Sequence, residues 1–245
     1  MAKTAEIIAL LEEFAPISTS QPWDNVGWQI NFANPEVNKV ILCLTVTESV
    51  VKQAISENCD FILSHHPVFF DPIKKIADKY VLDAIKKGIQ IYSVHTNIDV
   101  AMGGTSDMLA AKLGFFELQF INEFIRYKNF DHEINVNDFV YRMKNDLNIN
   151  NLRVVNKENV ETFKSIAFCA GSGGSFIPEI KKFNIDLYVT GDVKYHDALV
   201  ADKLVVVDIG HFDSEKFVTE IFRNILQKTN VEIIIANEED IWKTV

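Results

Sequence analysis

The sequence predicts an α/β protein of two interleaved lobes, in which mostly parallel sheets are flanked by helices. Apolar runs typical of buried strands alternate with helical patterns over about residues 1–115 and again after about residue 165. The pattern is looser between these two regions, which indicates the start of a second lobe. A chain of 245 residues, 48% of them hydrophobic and 24% charged, is large enough for this architecture.

The first lobe is predicted to begin with an amphipathic helix and to continue as a β-α-β succession. Apolar side chains recur at helical spacing over residues 4–14, and Pro16 follows the last of them. The later alternation of strands and helices implies parallel strands joined by right-handed crossovers. Strands are expected at 40–44, 61–63 and 89–94, and helices at 49–57, 78–87 and 106–113.

The second lobe is predicted to comprise residues 116–210, after which residues 211–245 return to the first lobe of residues 1–115. Strands are expected at 120–127, 152–155, 166–169, 187–190, 204–209 and 231–235. Helices are expected at 136–147, 176–183, 195–201 and 214–227.

The charge and the cysteines of the chain limit its partners. The 34 acidic and 24 basic residues give a net charge of −10, so the average surface repels phosphate backbones and no nucleic-acid partner is expected. Cys43, Cys59 and Cys169 lie far apart in the sequence and indicate buried free thiols. No signal peptide and no apolar run of about 20 residues is evident, which predicts a cytoplasmic protein that does not associate with a membrane.

Three of the predicted strands end in side chains that bind metals. These side chains are His65 and His66, Asp99, and the pair His211 and Glu215. The carboxyl ends of parallel strands share one edge of a sheet, so the five are expected to converge, although each alone is more often a surface or capping residue. Nitrogen and oxygen ligands favour Zn, Mn, Fe, Co or Ni over Ca. Adjacent histidines in an extended chain point to opposite sides, so either two ions or a kink at Pro67 is required.

Further polar residues near the strand ends are candidates for proton transfer and for substrate binding. The proton-transfer candidates are His95, Asp192 and His196, and the substrate-binding candidates are Gly171, Ser172 and Gly173. The three substrate-binding residues belong to a GSGG loop between a strand and a helix, where backbone amides could hold a phosphate. A plain turn for the loop and a solvated helix start for His196 are the alternative interpretations.

The ordered motifs WDNVGW, SHHP, HTNID, GSGG, TGD and GHFDSE resemble those of the YbgI-type family, often labelled GTP cyclohydrolase 1 type 2 homologues, and extend from about residue 23 to 215. The resemblance implies that the five ligand candidates hold a dinuclear centre of two divalent ions per subunit. It also implies that two-lobed subunits assemble as a toroidal homohexamer. Many members have Glu at the position of Asp192 and a second His at the position of Phe212.

These features lead to one hypothesis and two alternatives. Two ions that lower the pKa of a shared water toward neutrality predict a metal-dependent hydrolase. With GTP as the substrate, this water would attack C8 of the purine, open the imidazole ring and release formate. A phosphoesterase or nucleotidase acting on small phosphorylated metabolites would use the same ions, and a non-enzymatic metal-binding scaffold is the second alternative.

Overall fold

The computed structural model describes residues 1–243 and divides the chain into two compact units. The first unit comprises Met1–Ala101 and Val218–Glu239, and the second comprises Met102–Phe217 and 240–243. The second unit begins before residue 116 and continues beyond residue 210, the limits expected from the sequence. It begins earlier because Leu109, Ala110 and Leu113 belong to its hydrophobic core.

The helices and strands follow the predicted alternation. Up to residue 101 the elements are β1 (Ala2–Lys3), α1 (Thr4–Phe14), β2 (Gly27–Ile30), β3 (Glu36–Val37), β4 (Lys39–Cys43), α2 (Glu48–Ser56), β5 (Phe61–Ser64), α3 (Lys79–Lys87), β6 (Gln90–Ser93) and α4 (Thr96–Val100). The next elements are α5 (Thr105–Lys112), β7 (Gln119–Phe120), β8 (Arg126–Asn135), α6 (Val136–Asp146), β9 (Arg153–Val155), β10 (Thr162–Ser172), α7 (Ile177–Lys182), β11 (Leu187–Gly191), α8 (Tyr195–Leu199), β12 (Val205–Asp208), α9 (His211–Glu215), α10 (Val218–Leu226) and β13 (Glu232–Ile235).

The sheet of the first unit has the strand order β13-β4-β5-β6-β2. The pairs β13–β4, β4–β5 and β5–β6 are parallel, and β2 is antiparallel to β6. In register, Cys43 lies beside Ser64 and Ser64 beside Ser93, so β4, β5 and β6 end at the same edge. Ile41, Cys43, Ile62 and Ile91 contribute to the core on one face. This edge is where the chain places its first group of histidines.

The sheet of the second unit is mixed, with the order β7-β8-β10-β11-β12-β9. Only β10–β11 and β11–β12 are parallel, and the pairs β7–β8, β8–β10 and β12–β9 are antiparallel. Both faces of its central strands are buried: Leu187 and Val189 pack on one side, and Tyr188 packs on the other. Burial on both faces explains the near-continuous apolar runs in these strands. The α/β fold class is confirmed, with more antiparallel pairing in this unit than the sequence indicated.

The remaining differences from the sequence-based elements concern strands as well as helices. The strand expected at 120–127 is two strands, β7 and β8, and the strand expected at 166–169 is the longer β10. Gly88 ends α3 in the left-handed region at φ +70°, as its position after the helix predicted. The helix expected at 214–227 is instead two helices, α9 and α10, because the chain turns at residues 216–217. Cys43, Cys59 and Cys169 are free and buried, as predicted. Within residues 1–243, no helix combines the length and the apolar character needed to cross a bilayer.

Candidate metal centre

Three histidines of the first unit lie together beyond the ends of β5 and β6. His65 and His66 follow β5, and His95 follows β6 after one intervening residue. A ring nitrogen of each histidine lies within 4.8 Å of a ring nitrogen of the other two. The ring centroids are 4.9, 5.0 and 5.6 Å apart in the three pairs. His65 is fully buried and the other two are half-buried, so the cluster lies in a largely enclosed part of this unit.

The two adjacent histidines can share one cluster because the strand ends before them. β5 ends at Ser64, and the chain bends at His65 and His66. The Ser64 hydroxyl donates to the carbonyl oxygen of His66 at 3.0 Å, which holds the bend. In an extended strand the side chains of adjacent residues point to opposite faces. Because β5 ends at Ser64, this alternation does not apply to His65 and His66, and their rings can lie together. The bend begins before Pro67, where the sequence suggested a kink.

His65 and His66 are each held through ring atom Nδ1. His65 Nδ1 lies 2.9 Å from the carbonyl oxygen of Val94, and His66 Nδ1 lies 2.7 Å from Thr45 Oγ1. A carbonyl oxygen only accepts hydrogen bonds, so His65 carries its proton on Nδ1 and has its lone pair on Nε2. Such a bond through one ring nitrogen is how proteins orient a metal-binding imidazole.

Asp24 holds His95 in the same manner. The Asp24 side chain is fully buried, and its Oδ1 lies 2.9 Å from His95 Nδ1. Its Oδ2 accepts hydrogen bonds from the amide and the hydroxyl of Thr96, at 3.0 and 2.5 Å. Burial alone would raise the pKa of Asp24, but the hydrogen bonds from His95 and Thr96 lower the pKa to about 2. A charged carboxylate can only accept, so His95 also carries a proton on Nδ1, and in the neutral ring the lone pair is on Nε2.

Asp99 adds a carboxylate beside this cluster from α4. Its Oδ1 lies 3.6 Å from His65 Nε2, and its side chain is 16% exposed. Asn97 fixes the start of this short helix, since its Oδ1 accepts from the amide of His95 at 3.0 Å and its Nδ2 donates to the carbonyl of Ala15 at 2.7 Å. The first unit therefore brings together three imidazoles and one carboxylate.

In the second unit, α9 places His211 and Glu215 one turn apart on the same face. His211 Nε2 lies 2.9 Å from Glu215 Oε2, and His211 Nδ1 lies 2.7 Å from Asp192 Oδ2. Burial lowers the pKa of His211, but the hydrogen bonds and charges of Glu215 and Asp192 raise it more, to about 10. A divalent ion at His211 Nε2 would take the place of the proton shared with Glu215, while the Nδ1 proton would remain on the Asp192 side.

Glycine at position 171 makes room for the Glu215 carboxylate. Gly171 has φ +68°, and a Cβ at this position would lie 2.1 Å from Glu215 Oε1. The amide of Gly171 donates to Ser214 Oγ at 2.8 Å, and this hydroxyl donates to the carbonyl of His211 at 2.7 Å. The end of β10 therefore contacts α9 through Ser214, the residue before Glu215. Gly171 and Ser172 belong to β10 itself, so the GSGG loop expected from the sequence begins only at Gly173.

The other sequence-based candidates lie apart from these contacts or have different partners. The amide of Gly173 donates to Thr190 Oγ1 at 3.1 Å, so this amide and that of Gly171 have partners inside the unit. The phosphate contact assigned to Gly171, Ser172 and Gly173 stays a prediction. His196 is exposed on α8, where its ring packs against Tyr195 with centroids 5.6 Å apart. Its role in proton transfer likewise stays a prediction.

Comparison with known proteins gives the family. The family described as Duf34/NIF3 (NGG1p interacting factor 3) matches residues 2–241. The chain belongs to the Duf34/NIF3 family. A relative of this NIF3-family protein from Clostridium perfringens, named GTP cyclohydrolase 1 type 2 homolog, is 32% identical, with 96% of this chain and 97% of the relative covered. The resemblance seen in the sequence motifs is therefore confirmed.

Two further proteins are similar over the full length of the NIF3-family chain. The Helicobacter pylori (strain 26695) protein named GTP cyclohydrolase 1 type 2 is 29% identical, and the alignment covers 97% of both chains. The crystal structure of Staphylococcus aureus hypothetical protein SA1388 superposes with a TM-score of 0.89 at 26% identity, and covers 100% of this chain and 99% of that one.

The donor atoms in both units of the NIF3-family chain fit late first-row divalent ions. The donors are imidazole nitrogens and carboxylate oxygens, a set that suits Zn, Mn, Fe, Co or Ni. The three cysteines are packed in hydrophobic cores and supply no thiolate to either group. The Nδ1 contacts fix the orientation of these rings within each unit, as the contacts of metal-binding histidines do in other proteins.

Sequence reasoning found the histidines but missed the groups that hold them. Asp24 and Thr45 lie 71 and 21 residues from the histidines they contact. The only sequence signal for Asp24 is an acidic residue in the turn-rich WDNVG stretch, and Thr45 has no signal of its own. His95 was expected to transfer protons, and the structure places its ring with His65 and His66.

Proposed function

We propose that this NIF3-family protein is a metal-dependent hydrolase that acts on a nucleotide such as GTP. The observation that carries the proposal is the cluster of His65, His66 and His95, whose ring nitrogens lie within 4.8 Å of one another. Packing alone gives no reason for three partly polar rings to converge at a strand edge, whereas a metal site formed by two of them, with His95 beside it as a proton acceptor, does. The printed names of relatives support the substrate class, since the Helicobacter pylori relative is named GTP cyclohydrolase 1 type 2.

The ligands proposed for two divalent ions come from both units. The first unit supplies His65, His66 and Asp99, and the second supplies His211 and Glu215. The ions, when bound, would lower the pKa of water toward neutrality and stabilise negative charge that develops on the substrate.

The residues of the chain supply orientation and proton transfer. Asp24 keeps the proton of His95 on Nδ1, so Nε2 can accept the proton that the attacking water loses. Asp192 fixes the ring of His211 through Nδ1 in a similar way. With GTP, water would add at C8, the C8–N9 bond would break to open the imidazole ring, and a second water would release C8 as formate.

The homohexamer implied by the family resemblance belongs to the same proposal, as does a cytoplasmic location. Three free buried cysteines suit a reducing compartment. Light scattering of the purified protein measures its mass against the 27.9 kDa of one chain. A mass of one or two chains would contradict the hexamer but would not affect the assignment of the metal ligands.

The metal ligands are tested by elemental analysis of the purified protein and of three variants. We expect two metal equivalents for the natural chain and a loss of metal in His66→Ala and Glu215→Ala. His132→Ala is the matched control, because the His132 side chain is 68% exposed and contacts its neighbour Asp131. Metal contents equal to that of the control in both ligand variants would contradict the assignment.

Spin coupling between two bound Mn²⁺ ions, measured by electron paramagnetic resonance, tests whether the two groups of ligands serve one centre.

The reaction is tested by incubating the metal-loaded protein with GTP. Formate and a pterin product are expected, and Asp99→Ala is expected to release neither. Release of phosphate without formate would instead identify a phosphoesterase or nucleotidase. If no metal form releases either product and Asp99→Ala behaves identically, the hydrolase proposal is wrong.

A further inference from the structure

Two large aromatic side chains lie exposed beside the histidine cluster of the first unit. Trp23 is 59% exposed and Phe70 is 49% exposed. Their ring centroids are 5.8 Å apart and their planes differ by 22°, which is an offset-stacked pair. Neither residue is part of the described hydrophobic cluster that contains Ile41, Ile62 and Ile91. A pair of parallel rings that leaves half of its surface to solvent is unusual for a packing contact.

The two segments that carry these rings are fastened to each other. Asn25 Nδ2 donates to the carbonyl of Phe69 at 2.5 Å. The Gln29 side chain bridges the same two segments, because its Nε2 donates to the carbonyl of Asn25 at 2.7 Å and its Oε1 accepts from the amide of Phe69 at 3.1 Å. The residues next to Trp23 and Phe70 are therefore held in place, and the ring pair is set before any ligand binds.

The aromatic pair is also adjacent to His95. The His95 ring is edge-on to both rings, with centroids 6.3 Å from Trp23 and 5.6 Å from Phe70. Asp24, next to Trp23 in the chain, holds His95 Nδ1 at 2.9 Å, so one short turn positions both the aromatic ring and the histidine. A planar molecule stacked on either aromatic ring would therefore lie close to His95.

We propose that Trp23 and Phe70 form a stacking platform that binds the planar heteroaromatic ring of the substrate, a purine base in the case of a nucleotide. The proposal deepens the proposed function and rests on it for the identity of the ring. Stacking suits this chain because it requires no positive charge on the protein, whose net charge is −10. One base stacked on an aromatic side chain contributes about 1–3 kcal/mol, which corresponds to roughly 5- to 150-fold in affinity.

The platform is tested by titrating the full-length protein with guanosine, with GTP and with inorganic tripolyphosphate. Binding is followed by calorimetry for the natural chain and for Trp23→Ala, Trp23→Phe and Trp242→Ala. We expect Trp23→Ala to weaken the binding of guanosine and GTP by about 5- to 150-fold and to leave tripolyphosphate binding unchanged, while Trp23→Phe retains most of the affinity. Trp242→Ala is the matched control, because Trp242 is 80% exposed and lies in the other unit.

Failure of the platform and failure of the proposed hydrolase give different results. If GTP yields formate while Trp23→Ala keeps the natural KM and the natural affinity for guanosine, the platform is overturned and the hydrolase stands. If no formate forms but Trp23→Ala loses guanosine binding while Trp23→Phe retains it, the platform stands without that reaction. An equal loss of guanosine, GTP and tripolyphosphate binding in Trp23→Ala would show general disruption of the site and would overturn the stacking role.

Discussion

Replacing Gly171 by alanine tests whether the space beside Glu215 is essential for the candidate site. The added Cβ would lie 2.1 Å from Glu215 Oε1 and 3.1 Å from its Cδ, whereas ordinary contact begins at 3.4 Å. The carboxylate would therefore have to retreat by about 1.3 Å. Glu215 is only 4% exposed and its Oε2 contacts His211, so little space is open to it.

The backbone cost of this substitution can be separated from the collision. Alanine at a positive φ costs about 1–2 kcal/mol wherever it occurs. Gly88 has φ +70°, close to the +68° of Gly171, and a Cβ there would meet nothing within 4 Å. Gly88→Ala is therefore the matched control for strain alone. Overpacking adds about 1–3 kcal/mol, so Gly171→Ala is expected to destabilise the protein by that additional amount.

Two measurements check the prediction. Denaturant unfolding of the metal-free variants gives the difference in stability, and competition with a chromophoric chelator gives the metal affinity. A shift of about 1 Å in a ligand, or loss of its orientation, is expected to weaken metal binding about 10- to 100-fold in Gly171→Ala, with no change in Gly88→Ala. Equal stability and equal metal affinity in the two variants would refute the role given to Gly171.

Three other predictions concern charged groups. The free energy of unfolding of the metal-free protein should fall as the pH rises from 7 through 10, because the pKa of His211 is raised from 6.5 to about 10. The protonated ring stabilises the folded state fully only below pH 6.5, and this stabilisation is lost as the pH passes 10. Thermal unfolding measured against pH should show the decrease, and His211→Asn should reduce it. Asp24→Asn should destabilise the protein by about 1–3 kcal/mol, measured by urea unfolding, because its NH₂ must either face the N–H of Thr96 or displace the His95 proton from Nδ1 to Nε2. Arg126→Met should cost about 1–3 kcal/mol, because the fully buried Arg126 donates to Asp107 Oδ2 at 3.0 Å and to the carbonyl of Glu123 at 2.9 Å. No loss of stability in Arg126→Met, measured by urea unfolding, would contradict this.

The strands that could be predicted are those whose burial is visible in the sequence. β4, β5 and β6 are buried almost throughout, so they appear as short apolar runs within a residue or two of their true ends. β8 could not be predicted in full, because most of its ten residues are exposed or half-buried. Its strand conformation comes from pairing with β10, which is a long-range interaction that no local pattern reveals.

The same distinction applies to the candidate site. His65, His66 and Asp99 follow buried strands, and the rule that parallel strands end at one edge was enough to expect them together. The contacts of Asp24 and Thr45 depend on how a turn and a strand end approach the rings, and sequence spacing does not encode that approach. The Asp24 contact that places a proton on Nδ1 of His95 can therefore be seen only in the folded structure.

A net charge of −10 limits how this chain can recognise a nucleotide. Its average field repels a triphosphate, so attraction must come from short-range groups. The proposed ions would contribute about +4 against about −4 from Asp24, Asp99, Asp192 and Glu215, so the phosphates would be attracted by direct contact with the ions and not by a net local charge. The aromatic pair of Trp23 and Phe70 carries no charge, so salt does not screen its contribution to the binding of a base. Salt does screen the repulsion between the acidic surface and the phosphates, and the attraction between the ions and the phosphates. Phosphate binding and base binding would therefore respond differently to salt, and the base would be held by the part of the site that the acidic surface does not oppose.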